Sequence, residues 1–395
     1  MRIGIVGCGV CGQASAIALS RAGHAVEVFE RFETARPLGA GLLLQPSGLE
    51  ALARLDLRAE VERWGARVFA LDGRIAGNRR VLDLAYARGE YGVGIHRGAL
   101  FQILHDAMLA GGVRLRLGFD VAAIENIDRP SIVSRSGARE GPFDLVLDCA
   151  GAHDVLRDAL KLGVRAPLYP WGALWTTCPD RDDAFAGKLS QVYERARIMI
   201  GILPVGRAPG AGEVSRVAFF WSLRLRDFES EKSAGLDGPK ARVLALWPEA
   251  EPVVREIGDF GDLALATYRD VLVRHCRRSR VLVMGDAAHG TSPQLGQGAN
   301  LALIDSIVLA HHLKRNADVD GALISYERAR RGHIAFYRHA SRALTPAFQS
   351  DGRIVPWLRD AFLPFVNRLP GGRHLTGTTL AGVRKLPWGL WKPPD

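Results

Sequence analysis

The chain has 395 residues, 48% of them hydrophobic and 24% charged, with a formal net charge of +10. The apolar fraction excludes a disordered chain, and the length supports a large core divided over more than one domain. No apolar run reaches the roughly 18 to 20 residues of a membrane-spanning helix. The basic residues are dispersed and form no helix-turn-helix or zinc-finger pattern, which argues against nucleic acid and leaves an anionic cofactor or acidic substrate to account for the sign.

Met1-Arg2-Ile3-Gly4-Ile5-Val6 runs directly into a core strand, so no leader peptide is expected and the cytoplasm is the expected location. Residues 3–6 and 25–29 are apolar strands around a helical stretch at 12–22, a β-α-β unit. Between strand and helix stands Gly7-Cys8-Gly9-Val10-Cys11-Gly12. Gly7 permits the tight turn, Gly9 lets the backbone approach a pyrophosphate, and Gly12 lets helix and strand pack. The helix start, with Val10 and Cys11 in its first turn, favours phosphate. Glu30, followed by Arg31, ends the second strand where an acid can bond an adenosine ribose. The motif specifies a dinucleotide without saying which. Cys8 and Cys11 have the spacing of a redox dithiol, but at unconstrained positions of this turn they read as small turn residues. With Cys149, Cys178 and Cys276 they are odd in number and scattered, unlike a disulfide framework.

Further along, 49–55 and 100–109 have helical periodicity and 67–84 reads as strands. A strand meander is expected over 113–117, 121–127 and 132–136, then a buried strand at 145–149. From 164 to 265 aromatic-rich alternating stretches at 171–177, 198–203 and 217–223 indicate an antiparallel sheet. A buried strand returns at 280–285, followed by a helix over 297–313. The remainder reads as helices with Pro-rich breaks. The expected fold is α/β, a Rossmann-like nucleotide-binding domain with an inserted antiparallel-sheet substrate domain and C-terminal helices. The expected division is 1–163 and 271–325 for the nucleotide-binding domain, 164–270 for the insertion and 326–395 for the helical end.

A second motif follows the returning strand: Gly285-Asp286-Ala287-Ala288-His289, then Pro293 and Gly296-Gln297-Gly298-Ala299-Asn300. Asp286 suits a ribityl hydroxyl, and a helix start near Gly298 and Ala299 offers N–H donors to a flavin ring, whose reduced form collects negative charge there. The competing reading is a strand–turn–helix in which Asp286 only caps.

Taken in order and spacing over residues 1 to about 313, these motifs resemble the para-hydroxybenzoate hydroxylase family of group A flavoprotein monooxygenases. Gly39-Ala40-Gly41-Leu42, Pro46, and Arg97 in His96-Arg97-Gly98-Ala99-Leu100 add to the resemblance. It implies FAD as cofactor, with Asp286 on the ribityl chain, Arg97 near phosphates or ribityl, Pro293 beside the isoalloxazine, and Gly41, Gly296, Gly298, Ala299 and Asn300 on the cofactor surface. It implies oxygenation of a small, aromatic or polycyclic substrate by molecular oxygen through a flavin hydroperoxide, with NAD(P)H as electron donor. One stretch departs from the family. Asp148-Cys149-Ala150-Gly151-Ala152-His153-Asp154-Val155-Leu156-Arg157 keeps Gly151 and Arg157, but Ala150 stands at the aspartate position and Asp154 at the serine position. Asp148, two residues early, offers a substitute carboxylate; without one, reduction by a partner flavin reductase or by free reduced flavin opens.

No metal-ligand cluster or nucleophile triad is evident. Pro293, His96 and Tyr193 are candidates for the catalytic region and His289 for a base, each against a structural hydrogen bond. Trp175, Tyr193, Phe219 and Trp221 are candidates for the substrate pocket, alternation placing Phe219 and Trp221 on one face and Phe220 on the other. The tail with Phe365, Trp388 and Trp391 reads as a cap over the substrate domain, against an interfacial anchor. A flavin-dependent reductase or dehydrogenase, and a flavin-binding protein without turnover, share these motifs and stay open.

Overall fold

The computed structural model describes residues 1–34, 40–75, 77–154, 156–366, 369–387 and 389–394. Gly39, Val155 and Trp388, named above, lie outside the described residues.

β1 (Arg2–Val6) and β2 (Ala25–Phe29) flank α1 (Val10–Arg21), and both strands are buried after their first residue. Continuous burial is what parallel strands covered on both faces require. β11 (Leu145–Asp148) pairs with β1, β20 (Val281–Val283) with β11, and β7 (Arg114–Arg116) with β2, all in parallel. β19 (Arg277–Arg278) adds an antiparallel edge, giving the order β19-β20-β11-β1-β2-β7. The chain therefore leaves this sheet after β11 and re-enters it beside β11. Small buried residues Ala14, Ala16 and Ala18 let α10 (Gly298–Arg315) lie close on α1, where the Ser15 and Ser306 hydroxyls meet at 2.9 Å.

The second sheet has nine strands: β3 (Gly41–Leu44), β4 (Ala66–Ile75), β5 (Arg79–Ala85), β6 (Gly92–His96), β13 (Leu168–Pro179), β14 (Gly187–Glu194), β15 (Ile198–Gly206), β16 (Arg216–Arg224) and β17 (Ala264–Arg269). β4 and β14 pair in parallel and the other pairings are antiparallel. Residues 41–96 thus join a sheet expected from 164–270 alone. Smaller pairings are β8 (Val121–Glu125), β9 (Ser131–Ser134) and β10 (Arg139–Glu140); β12 (Val164–Arg165) with β18 (Leu272–Val273); and β21 (Arg384–Lys385) with β22 (Gly389–Leu390). The expected meander is corrected at its start, because β7 extends the parallel sheet instead of joining β8 and β9.

α2 (Pro46–Arg54) and α3 (Arg58–Trp64) link β3 to β4, α4 (Arg97–Ala110) links β6 to β7, and α5 (Leu156–Ala159) and α9 (Asp286–His289) are single turns. The stretch expected as sheet also contains three helices, α6 (Phe228–Ala234), α7 (Asp237–Leu246) and α8 (Glu251–Val254). Val243, Trp247, Val253 and Val254 from this region pack on Leu174, Phe219, Trp221 and Leu223 of the large sheet. The opposite face carries Trp175, Tyr193, Met199 and Phe220, covered by the end of α11 (Val319–Phe348) and by α12 (Ile354–Val366) through Phe348 and Leu363. α13 (Gly372–Leu380) follows. No helix among the described residues is long and apolar enough to cross a membrane.

Candidate active site

At the N-terminal turn the three glycines meet three different surroundings. Gly7 has φ +97°, and a Cβ there would stand 2.7 Å from the Cys149 carbonyl oxygen. A Cβ on Gly12 would overlap the Gly7 carbonyl, whereas one on Gly9 would meet no atom within 4 Å. The open space lies where a pyrophosphate would approach. Gly9 precedes α1 and no side chain caps that helix, so its first N–H groups around Val10 and Cys11 are left to a ligand. Glu30 accepts from the backbone N–H of Cys8 at 2.9 Å and of Phe32 at 3.2 Å, which fixes its carboxylate beside the turn. Arg31 is exposed and lies over the Phe32 ring. Cys8 and Cys11 are buried, and burial pushes the Cys8 thiol up to about 11. The Cys11 thiol is raised by its hydrogen bond with Cys149 and by burial. Both thiols are raised, the opposite of the lowered thiol that a redox C-x-x-C uses, which agrees with small turn residues.

The second motif is folded against the first. A Cβ on Gly285 would come within 2.9 Å of the Cys11 side chain, and Ser306 of α10 donates to the Cys11 carbonyl at 3.3 Å. Asp286 is exposed, and among the described residues no donor meets its carboxylate; the position of a Cβ on Gly298 lies 3.5 Å from its Oδ1. α10 starts at Gly298 and Ala299 without a side-chain cap or an acid in its first turn. Pro293 opens a short turn that ends at Gly296 in the left-handed region. These features fit FAD: two uncapped helix starts, a free carboxylate between them, and space above Gly9. Arg97 begins α4, its backbone N–H donating to Ala40 at 3.0 Å, and its charge acts on the Tyr268 phenol.

The side chains or close packing of two expected cofactor residues also hold the fold together. The Asn300 side chain is buried, accepting from Gln45 N at 2.8 Å and donating to Gly296 O at 2.9 Å and Leu43 O at 3.2 Å, so it ties β3 to α10. Gly41 is required by sheet packing, since a Cβ would stand 2.6 Å from Val205 and 2.8 Å from Ala218.

In the departing stretch, Asp148 is fully buried and accepts from Ala150 N at 3.1 Å. Burial, then the neighbouring Asp154 carboxylate, hold its pKa well above the usual range. It is therefore not an exposed replacement for the family's aspartate. Asp154 caps α5, accepting from Leu156 N at 2.9 Å and Arg157 N at 3.0 Å. Arg157 is buried and donates to the carbonyls of Ala287 at 2.9 Å and Ala152 at 2.7 Å, linking this stretch to the second motif.

The substrate candidates divide between the two faces of the large sheet. Phe219 and Trp221 point into the core under α7 and α8, because those helices supply the apolar cover for that face. Their expected place in the pocket is corrected. Trp175 stands on the other face with Phe220, ring centroids 4.7 Å apart, and its Nε1 donates to the Tyr268 hydroxyl at 3.1 Å. Burial, above all, keeps the Tyr268 pKa raised, so the phenol keeps its proton. Tyr193 shares this face but is closed off as a base. It is 1% exposed, donates to Gln191 at 2.8 Å, and burial raises its pKa far above the ordinary value. His96 caps α4, accepting from Gly98 N at 3.0 Å, and burial holds it below its ordinary value. His289 braces the loop through a 2.6 Å bond to Asp305.

The turn at Pro293 meets the end of α11, where Ser292 and Thr345 hydroxyls lie 2.7 Å apart and Gln294 donates to Gln349 at 2.8 Å. Phe348 of the same helix end stands 5.2 Å from Tyr193. The second motif and the aromatic face therefore share a wall. Phe220 was available from alternation on the far face of β16, whereas Tyr268, Thr345 and Gln349 carry no local sequence signal.

Comparison with known proteins agrees with this geometry. Residues 1–336 match the family model described as FAD binding domain. The aurachin C monooxygenase/isomerase of Stigmatella aurantiaca is 25% identical over 91% of this chain and 92% of its own. The 2-heptyl-3-hydroxy-4(1H)-quinolone synthase of Pseudomonas aeruginosa strain UCBPP-PA14 is 29% identical over 93% of this chain and 94% of its own. The crystal structure of Klebsiella pneumoniae HpxO complexed with FAD and uric acid superposes with a TM-score of 0.78 at 20% identity, covering 97% of this chain and 96% of that one.

Proposed function

The chain belongs to the FAD-binding-domain family and is an FAD-dependent monooxygenase of group A, and from that premise we propose that it oxygenates a nitrogen-containing heteroaromatic ring held against Trp175 and Phe220. FAD, when bound and reduced, supplies the oxygen-activating chemistry. The protein's part is to bind, orient and exclude water.

Gly7, Gly9, Val10, Cys11 and Gly12 hold the pyrophosphate at the start of α1, with Glu30 on the ribose and Arg31 and Arg97 contributing positive charge. Asp286 takes the ribityl hydroxyls. The uncapped N-terminus of α10 at Gly298 and Ala299, reached through Pro293 and Gly296, would offer its N–H groups and positive dipole end to the charge of a reduced flavin. Residues 1–163 and 271–325 are proposed as the FAD-binding domain, with 164–270 contributing the substrate wall and 326–395 its helical cover.

One observation carries the substrate class. The Tyr268 hydroxyl already accepts from Trp175 Nε1, and among the described residues its own proton has no acceptor. Held protonated by burial, it can donate to a carbonyl or ring nitrogen while Trp175 and Phe220 stack on the ring. The relative named for a quinolone agrees with that class.

NAD(P)H is the proposed electron donor. Burial of Asp148 beside Asp154 favours a second arrangement in which a separate flavin reductase supplies reduced flavin. Oxygen uptake and NADPH oxidation on adding quinolones, hydroxypyridines and purines test the reading. Coupled consumption for a heteroaromatic acceptor, with KM raised roughly 3- to 10-fold in Tyr268→Phe, is expected from the loss of one hydrogen bond. Turnover of the same acceptors without oxygen would overturn it.

A further inference from the structure

α12 is apolar on both sides. Its inner side packs on the aromatic face: Pro356 is buried, Leu363 joins that cluster, and the Arg359 guanidinium lies 4.9 Å over Tyr193 and 5.1 Å over Phe348. Its outer side presents Ile354 at 73% exposure, Trp357 at 64% and Phe362 at 62%, with Phe365 and the following Leu369 also more than half exposed. At 3.6 residues per turn Ile354, Trp357, Phe362 and Phe365 fall on one side of α12. A contiguous exposed apolar stripe of this size marks a contact surface, because water penalises it.

The charge around it is lopsided. Residues 351–395, the last 45 of the chain, carry seven Lys or Arg against three Asp, a net +4 of the chain's +10. Arg353 just before α12, Arg373 in α13, and Lys385 and Lys392 beyond it are all exposed. We propose that the outer face of α12 seats the protein on an anionic lipid surface. Ile354, Trp357 and Phe362 enter the boundary between headgroups and acyl chains, and the flanking arginines meet lipid phosphates. With 13 residues, the helix is about 20 Å long and lies in the surface without crossing it. A second copy docking on the same face would bring two regions of net +4 together, so the charge selects an anionic partner.

Flotation of the FAD-loaded protein with phosphatidylcholine vesicles, with and without about 30% phosphatidylglycerol, tests the proposal. Expected is at least tenfold greater partitioning to the anionic vesicles at about 50 mM salt, falling steeply toward about 500 mM. Trp357→Ser with Phe362→Ser is expected to lose about tenfold or more while retaining bound FAD and Tm. Arg353→Glu with Arg373→Glu is expected to lose the preference for anionic lipid. Equal binding to both vesicle types, no binding to either, or a dimer in light scattering that dissociates in the Ser variant without any lipid binding would each overturn it.

Discussion

Trp175 on β13 stands against Phe220 on β16 with ring centroids 4.7 Å apart, while Phe219 and Trp221, the neighbours of Phe220 in sequence, lie on the opposite face under α7 and α8. Strand alternation alone produces this division. Substitutions on the two faces therefore have different readouts. Trp175→Ala should raise KM for a heteroaromatic substrate about tenfold, the worth of one aromatic contact. Phe219→Ala or Trp221→Ala should cost about 3–5 kcal/mol of stability and leave KM of the folded enzyme unchanged. Steady-state kinetics and thermal melts distinguish the faces, and an exchange of the two outcomes would refute the assignment.

Asp148 illustrates a carboxyl kept neutral. Burial, reinforced by Asp154, raises its folded pKa above the unfolded value near 3.9. The folded state then holds a proton that the unfolded chain releases, so its contribution is present at low pH and fades as pH rises through the raised value. Asp148→Asn should match wild type in Tm near pH 4 and exceed it at pH 8. Because the carboxyl is not on the cofactor surface, reduction by NADPH in stopped flow should stay within about twofold. A large loss of reduction rate with FAD still bound would make Asp148 part of the electron-transfer site.

His333 gives the opposite sign. It accepts from Arg330 at Nδ1 and donates from Nε2 to Gly382 O at 2.8 Å, which fixes the neutral ring in place. Burial, then the Arg330 charge, hold its pKa well below 6.5. The unfolded chain binds the proton that the folded one refuses, so this stability is present above about pH 6.5 and lost as pH falls below it, by up to about 1.4 kcal/mol per pH unit. Denaturant titrations between pH 7.5 and 5 should show that slope in wild type and a shallower one in His333→Gln. His96, lowered by its own burial, leaves part of the slope in the variant.

Arg330 and Asp305 form the buried pair beside His333. Arg330 donates from Nε to Asp305 at 2.7 Å, and Asp305 also receives His289 and the Gly285 N–H at 3.1 Å. Burial alone would raise the Asp305 pKa, but Arg330 and His289 outweigh it and hold the carboxylate well below its ordinary value. Arg330→Met should cost about 3–5 kcal/mol, since it leaves a buried charge short of a partner, and should loosen the Gly285–Asp286 turn with it. A Tm within a degree of wild type would contradict this.

Legibility in the sequence followed locality. The glycine turn, the second motif and the return of the parallel strand are written in contiguous residues whose spacing has one physical use, and they fold into contact at Gly285 and Cys11. The helices at 228–254 were hidden because flanking aromatic strands set the texture. Their own signal is the run Leu236, Val243, Trp247, Ala250, Val253 and Val254 at helical spacing, on a stretch rich in Glu, Lys and Ala. Missing them reversed the choice of sheet face. Asn300 and Gly41 matched motif positions, but their partners Gln45, Leu43, Val205 and Ala218 come from distant segments that no local pattern reveals. Tyr268, Thr345 and Gln349 belong to the same class, brought to the site only by tertiary packing.

FAD affinity in variants at Gly9 and Gly298 decides whether both helix starts hold one cofactor. A Cβ at Gly9 meets nothing within 4 Å and one at Gly298 meets only Asp286 at 3.5 Å, so Gly9→Leu and Gly298→Leu should fold with an unchanged apoprotein Tm. Each should bind FAD at least about 100-fold more weakly in a fluorescence-quenching titration, the cost of blocking close backbone approach. If either folded variant bound FAD as tightly as wild type, the segment it belongs to would not be touching the cofactor.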